Sequence, residues 1–591
     1  MARIPWYRFP VFVSLLKLFR FRIELRSKNL HSTQPDMPVS GDPEKADPPA
    51  TPRQIRARTV LGTYNDLGVP QMGSAGQRFG RNVPLADAVP DPHMDDPNPR
   101  VISNRLLARE TFVPATIVNL LAAAWIQFEV HDWMTHGKNE KRDPFTVPVD
   151  DADPWPGPRP MEIRRTRVDT TRTPDEQHLP PTYTDGETHW WDGSQIYGSR
   201  PDIADAVRAH VDGKLQIGED GLLPLDPTKG VDRTGVNDNW WVGLSLLHTL
   251  FTLEHNAICD ALQDDHDDWS DDRLYDVARL VNAALMAKIH TVEWTPAILP
   301  NPRIRVAMEA NWWGLKGKAS MTSLLERSVA VSGIVGSKVD HGPAPYAMTE
   351  EFTAVYRMHP LLPEELSFWS SATGDVIPGK DKIPFPDVAE RKARELLNQV
   401  SMQDVFYSFG ISHPGAIQLH NYPNWLRELK RPDGRLVDVA AVDIVRDRER
   451  GVPRYNRFRE LLHLPRFTSF DELTENKEWA DELRDVYDDD IDKVDALVGM
   501  LAETLPEGFG FSNTAFRLFI LMASRRLQSD RFFTDDYRPE IYTTLGIAWV
   551  ENTTMTDVIL RHFPALNTRL RSDANAFKPW NDPENILKFR E

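Results

Sequence analysis

The stretch over 111–136, TFVPATIVNLLAAAWIQFEVHDWMTH, is rich in Ala and Leu and apolar on most of its faces. A helix with that pattern has to be covered on all sides, so it predicts one central buried helix inside a large helical body. Similar patterns predict helices over 240–263, 273–294, 350–359, 388–402, 491–503, 514–527 and 555–562, and sustained period-two alternation is scarce. No repeat of 20–50 residues occurs, which sets aside solenoids and propellers. The expected fold is mainly α with few short strands, and residues 101–591 are expected to form one catalytic domain. With 17 Trp and 26 Phe, the chain has ample apolar material for such an interior.

Two segments precede that body. Residues 1–32 carry Arg3, Arg8, Lys17, Arg20, Arg22, Arg26 and Lys28 against Glu24 alone, interleaved with Trp6, Phe9, Phe12, Leu15, Leu16 and Phe19. The apolar run 9–16 is far shorter than the ~20 residues needed to span a bilayer, and no small-residue cleavage site follows it. The segment reads as a peripheral membrane contact through residues 1–30, a docked helix or a targeting peptide, in that order. Residues 33–100, rich in Pro, Asp and Gly, read as an extended arm over the surface.

A net charge of −18 excludes nucleic acid as a partner, because phosphate binding needs a concentrated basic face. The single Cys259 excludes a disulfide framework and a thiolate metal cluster, and it suits an intracellular, cytoplasmic setting. Any metal has to be held by His, carboxylates or carbonyls. A monomer is the expected state.

Three short segments carry chemistry. His131 lies late on the apolar stretch, one turn after Gln127 on the same face, and His136 points about 140° away, which is unsuited to a shared zinc. Taken alone, His131 is a satisfied core histidine. The loop Thr188-His-Trp190-Trp-Asp192-Gly-Ser194 offers a hydroxyl, a carbonyl, a carboxylate and a second hydroxyl at alternate positions, and Asp132 could add a carboxylate. Such oxygen sets suit a hard cation such as Ca²⁺, although an Asp-Gly-Ser turn is common in itself. In Tyr356-Arg-Met-His359-Pro-Leu-Leu-Pro, a spacing of three places both rings on nearly one helix face, and the prolines end the helix. A His so placed can ligate a haem iron beside the Tyr, and a plain Tyr–His hydrogen bond is the commoner alternative.

Together the three segments resemble the animal haem peroxidase and cyclooxygenase superfamily, and the Tyr at 356 resembles cyclooxygenases rather than ordinary peroxidases. More specifically, the chain resembles fatty acid α-dioxygenases along nearly its whole length, in RFPVFVSLLKLFRFR, FGRNVP at 79–84, LEHNAICDAL at 253–262, KIHTVEWT at 288–295 and ASRRLQSDRFFT at 523–534. The resemblance implies a cyclooxygenase-like helical domain with one haem b between His131 (distal) and His359 (proximal). It implies Ca²⁺ held by Asp132, Thr188, the Trp190 carbonyl, Asp192 and Ser194, and a long-chain fatty acid carboxylate held by His290, Thr295 and Arg526. It also implies hydrogen peroxide as activator, Tyr356 as the radical-carrying residue and O₂ as co-substrate. The product is a 2-hydroperoxy acid, which decays to CO₂ and an aldehyde one carbon shorter.

The physical chemistry agrees with those roles. A near-neutral His131 can shuttle the peroxide proton, and an Arg fork is suited to a carboxylate. Asn421 is the expected acceptor for the proximal imidazole N–H, and Arg531 is expected to be structural. Asn237 stands where peroxidases carry an Arg that helps to split peroxide, so weak peroxidase turnover is expected. The alternative functions are a haem peroxidase acting on small phenols or halides and, more remotely, a lipid-binding helical protein.

Overall fold

The structure is a computed structural model that describes residues 5–34, 48–314, 317–318 and 333–589. Arg3 and the arm residues 35–47 lie outside them. One hydrophobic core runs from Trp6 to Trp580. Strands among the described residues are confined to short antiparallel pairs such as Phe145–Val147 with Met161–Ile163, so the mainly helical expectation is met.

Helix α1 (Val11–Lys28) docks through Leu18 and Leu25, and the preceding Trp6 stacks on Phe516 at 5.4 Å. Helix α2 (Leu120–Trp133) is the predicted central helix, shorter than its apolar pattern. Its predicted first turns at 111–119 pair with other chain segments: Ala115 N–H donates to Pro414 O, and the Asn119 side-chain amide donates to Ala576 O and Lys578 O. Pro114 has no N–H to give a helix there.

Helices α3 (Val242–Asp265) and α4 (Asp271–Ile289) pack against each other, and the Ser270 hydroxyl caps α4 by accepting the Arg273 N–H. The predicted helix over 273–294 does not continue regularly. It widens into a π-turn, His290–Trp294, before the short helix Thr295–Ile298. The Thr295 hydroxyl donates to His290 O at 2.8 Å, and Pro296 supplies no N–H for a regular turn.

Helix α5 (Glu350–Val355) stops short of the predicted 359. Tyr356 caps it at φ −91°, ψ 9°, and His359 opens a separate 3₁₀ turn. Pro360 disfavours the α conformation at His359, so the two rings are not neighbours on one helix face. Two other predicted helices are shorter or divided. Only Arg391–Leu397 forms within 388–402, with Glu390 at φ 52° before it, and 491–503 splits at Asp495. Two more elements matter for the site: α6 (Val439–Glu449) and α7 (Asn513–Ser529).

The arm does not stay on the surface. Glu351 on α5 is buried and accepts Arg81 Nε and the Asn82 N–H, both at 2.7 Å, while Arg58 is buried against Asp530 at 2.8 Å. Arg81 thus holds α5, the element leading to Tyr356, and Arg58 holds the end of the helix Asn513–Ser529, so these charges mark buried ion pairs rather than a solvated face.

Candidate functional site

Helix α2 delivers His131, Asp132 and Trp133 in succession, so one helix end serves three directions. His131 is half-buried, its Nδ1 has no hydrogen-bond partner, and burial lowers its pKa to about 4. Gln127 accepts the Trp241 indole N–H at 2.8 Å and donates to Asn239 O. His136 belongs elsewhere: it pairs with Glu350 at 2.9 Å and stacks on Phe79 at 4.4 Å. Asn237 is tied to Lys229, Asp226 and the Asp232 carbonyl.

Asp132 meets the 188–194 loop. Its Oδ1 accepts the Ser194 N–H at 2.5 Å and the Ser194 hydroxyl at 2.9 Å. Gly193, at φ +78°, turns the loop there, and a Cβ on it would stand 2.8 Å from the Tyr197 ring. Asp132 Oδ2, Thr188 Oγ1 and Asp192 Oδ1 are buried with no hydrogen-bond partner. Burial, with the nearby Asp192 charge second, raises the Asp132 carboxyl to about 7. Arg279 donates to Asp192 Oδ2 at 3.1 Å. Unpartnered oxygens on buried carboxylates and a hydroxyl are what an oxygen-coordinated cation would satisfy, so this donor set fits Ca²⁺. Among the described residues no group of three or more His, Cys, Asp or Glu side chains could hold a metal. A cation here would rest on two carboxylates together with hydroxyl and carbonyl oxygens.

On the proximal side, His359 is half-buried and its Nδ1–H donates to Asp443 Oδ2 at 2.8 Å. The same oxygen accepts the Tyr422 hydroxyl at 2.9 Å, and Arg357 binds the Asp443 carbonyl and the Asp447 carboxylate. Burial alone would raise the Asp443 carboxyl, but the facing His359 and Arg357 overcome it and hold the carboxyl below its ordinary range. Among the described residues no hydrogen bond engages His359 Nε2, so that nitrogen is available to a ligand. The expected acceptor Asn421 is therefore incorrect. Its Oδ1 accepts Arg109 Nε and the Val113 N–H, its amide donates to Val113 O and Ala416 O, and its neighbour Tyr422 is the residue that reaches Asp443.

The third cluster surrounds Trp133. Tyr356 meets its edge at 5.1 Å, His290 meets it at 5.2 Å, and the Arg526 guanidinium lies 4.2 Å over its ring. Trp191 lies 4.5 Å from the same guanidinium and meets Trp133 edge-on, with ring centroids 5.6 Å apart at 87°, so the cation sits in a corner formed by two indoles. Trp125 donates to His290 Nδ1 at 3.2 Å. Arg526 Nε and Nη2, His290 Nε2 and the Tyr356 hydroxyl are all buried without a hydrogen-bond partner, and the nearest carboxylate oxygen to Arg526 Nη2 is Asp132 Oδ2, an ion-pair contact at 4.0 Å. Burial holds the Tyr356 hydroxyl well above its ordinary range and His290 well below its own, so both are neutral. Thr295 joins through its bond to His290 O. Arg531 is bound to Ile55 O, Gln54 O and Asp536, which agrees with a structural role.

The sequence reading missed Asp443, Trp133, Trp191 and Glu129. Trp133 and Trp191 adjoin motif residues and could have been flagged as large side chains beside them. Glu129 was visible as one acid in an apolar run, whereas Asp443 lies 84 residues beyond its partner and has no local signal.

The animal haem peroxidase family matches residues 57–577. Alpha-dioxygenase 1 of Arabidopsis thaliana is 38% identical over 98% of this chain and 91% of its own length. The crystal structure of Arabidopsis thaliana fatty acid α-dioxygenase superposes with a TM-score of 0.91 at 37% identity, covering 99% of this chain and 91% of that one. A Tyr-to-Phe variant of Oryza sativa fatty acid α-dioxygenase with palmitic acid gives 0.89 at 36% identity, over 98% and 95% of the two chains. A chain this similar over nearly its full length belongs to the α-dioxygenases, oxidoreductases of the animal haem peroxidase family.

Proposed function

We propose that the chain is a haem-dependent fatty acid α-dioxygenase that inserts O₂ at the α-carbon through a radical on Tyr356. The observation that carries this reading is the gathering of Tyr356, His290 and Arg526 around Trp133, each with a buried polar atom that lacks a partner. A long-chain acid would supply what they lack. Its carboxylate would accept from Arg526 Nε and Nη2 and from the His290 Nε2–H, with Thr295 joining by turning its hydroxyl from His290 O to the carboxylate, and anchoring that end would place the α-carbon beside Tyr356.

His359 Nε2 would hold haem b, with Asp443 fixing the ring, and His131 would stand on the opposite side. Haem, when bound, would supply the oxidising equivalent: hydrogen peroxide is reduced to water, taking up the electron and the hydroxyl proton that Tyr356 loses to become a neutral phenoxyl. The neutral His131 accepts a proton from peroxide and returns it. The Tyr356 oxygen then takes a hydrogen atom from the substrate, breaking the α C–H bond and forming its own O–H bond. O₂ adds to the carbon, and the peroxyl takes the hydrogen back from Tyr356, which leaves the 2-hydroperoxy acid and restores the radical. Ca²⁺ at Asp132, Thr188, Trp190, Asp192 and Ser194 would fix the loop that carries Trp191.

The test is oxygen uptake with a panel of fatty acids, coupled to mass analysis of the products. Tyr356→Phe is expected to keep haem and abolish uptake, and normal uptake by that variant would sink the mechanism. Turnover of small phenols is expected to be weak, because Asn237 is engaged by Lys229 and Asp226.

Helix α1 supports peripheral membrane contact by a cytoplasmic protein. Phe12 (72% exposed), Leu16, Phe19 and Ile23 form one exposed stripe beside Arg20. Among the described residues no helix is long and apolar enough to cross a membrane. Phe12→Glu with Leu16→Glu should reduce binding to anionic lipid vesicles, and undiminished binding would remove the proposal.

A further inference from the structure

The Arg526 guanidinium is held by three separate parts of the chain. Helix α7 carries it, α2 supplies Trp133 as one wall, and the 188–194 loop supplies Trp191 as the other. Two of these are long helices, whose packing fixes where their side chains point. Trp191 stands on a loop, and a ring torsion of this type has broad wells, so its plane needs something to select it. The one polar contact its indole makes among the described residues is Nε1–H to Glu129 Oε2, at 2.8 Å.

Glu129 is an odd residue for its place. It lies between Phe128 and Val130 on the buried face of α2, is fully buried, and leaves Oε1 without a partner. A half-satisfied carboxyl in such a place costs stability, and an apolar side chain there would not. Its retention in the fold points to a task for the bonded oxygen. Burial, with the Asp132 charge second, also pushes the carboxyl up to about 8, yet an indole N–H can be accepted in either protonation state.

We propose that Glu129 is a positioning residue for carboxylate binding: by accepting the Trp191 indole N–H it fixes the second wall of the corner that Trp191 and Trp133 form and so aims the Arg526 fork at the fatty acid carboxylate. This rests on Arg526 being the carboxylate anchor. Glu129 itself needs no contact with the substrate.

The test uses the full-length haem enzyme with palmitic acid as probe. Glu129→Leu removes the acceptor at similar volume and should raise KM for the acid about 5–10-fold, as loss of one buried hydrogen bond predicts, with a smaller change in kcat. Glu129→Gln retains an acceptor oxygen and should recover most of the affinity. Oxidation of a small phenol, which has no carboxylate, should change less than the acid KM in both variants. An unchanged acid KM in Glu129→Leu, a Gln variant as impaired as the Leu one, or an equal loss of phenol oxidation would each overturn the proposal. Should Glu129→Leu fail to fold, Trp191→Phe deletes the same bond from its other end and should show the same rise. The double variant should be no worse than either single one, and additive effects would count against the coupling. Arg526→Leu separates the two readings. If it leaves KM unchanged, the anchor is lost, whereas a rise there with none in Glu129→Leu sinks the positioning role alone.

Discussion

Of the buried side chains linked around His359, only Asp447 keeps an unpartnered oxygen, Oδ2, whereas the Trp133 chamber leaves several atoms unmet. Around His359 the bonds form a connected chain: the imidazole donates to Asp443, Tyr422 donates to the same oxygen, and Arg357 links Asp443 to Asp447. Around Trp133, donors and acceptors on Arg526, His290, Tyr356 and Glu129 are left unmet. Native interiors rarely leave such groups alone. A residue that has to grip a permanent group is braced by the protein, whereas a chamber for a passing ligand keeps its hydrogen bonds in reserve.

If that contrast is right, damage on the two sides should appear in different measurements. The largest effect is expected in the chamber: Arg526→Leu should raise KM for a long-chain acid about 100-fold, the cost of removing one partner of a buried charge pair, with the haem spectrum little altered. A comparable change in haem binding would blur the distinction. On the proximal side, Asp443→Asn should weaken haem affinity by about 10-fold, the lower end for a residue supporting a metal ligand, while the acid KM stays near wild type. Equilibrium haem titration reads the first and steady-state kinetics the second.

A smaller effect is expected with pH. His131, held at about 4 by burial, is neutral above that value and gains a proton as the pH falls through it. Peroxide-dependent activation should therefore be level from neutral pH downward and fall near pH 4, where the protonated ring no longer accepts a proton. Stopped-flow absorbance against pH reads this, and His131→Gln should give a slower, flatter profile.

His131 with Asp132 and the 188–194 loop were legible because each lies in a short segment whose spacing survives into the fold, whereas Tyr356 and His359 were legible as a motif although the helix expected to carry both rings ends at Val355. Asp443 was not legible. It sits in VAAVDIVRDRE, which resembles a solvated charged helix, yet α6 is largely buried and its charges face partners from distant segments. Charge density in a sequence does not distinguish a wet face from a buried ion-pair network. The Asn421 assignment failed because the acceptor for the His359 N–H stands on α6, and only the neighbouring Tyr422 reaches it, as a second donor to Asp443. The length of α2 was overread for a related reason, since apolar residues at 113–118 are covered by tertiary pairing rather than by helix packing.

The placing of one guanidinium against both indoles has one more consequence, for where an electron vacancy can reside. Trp133 touches Tyr356, and an indole is an accessible electron donor, so a vacancy created on the tyrosine could drain into it. The guanidinium 4.2 Å above that ring opposes the loss of an electron from it, by about 4 kcal/mol at the effective dielectric of a partly screened site. Trp191 has the same protection at 4.5 Å. A bound carboxylate would offset part of the positive charge, so the guard is strongest while the chamber is empty, when an oxidised tyrosine has no substrate to spend itself on.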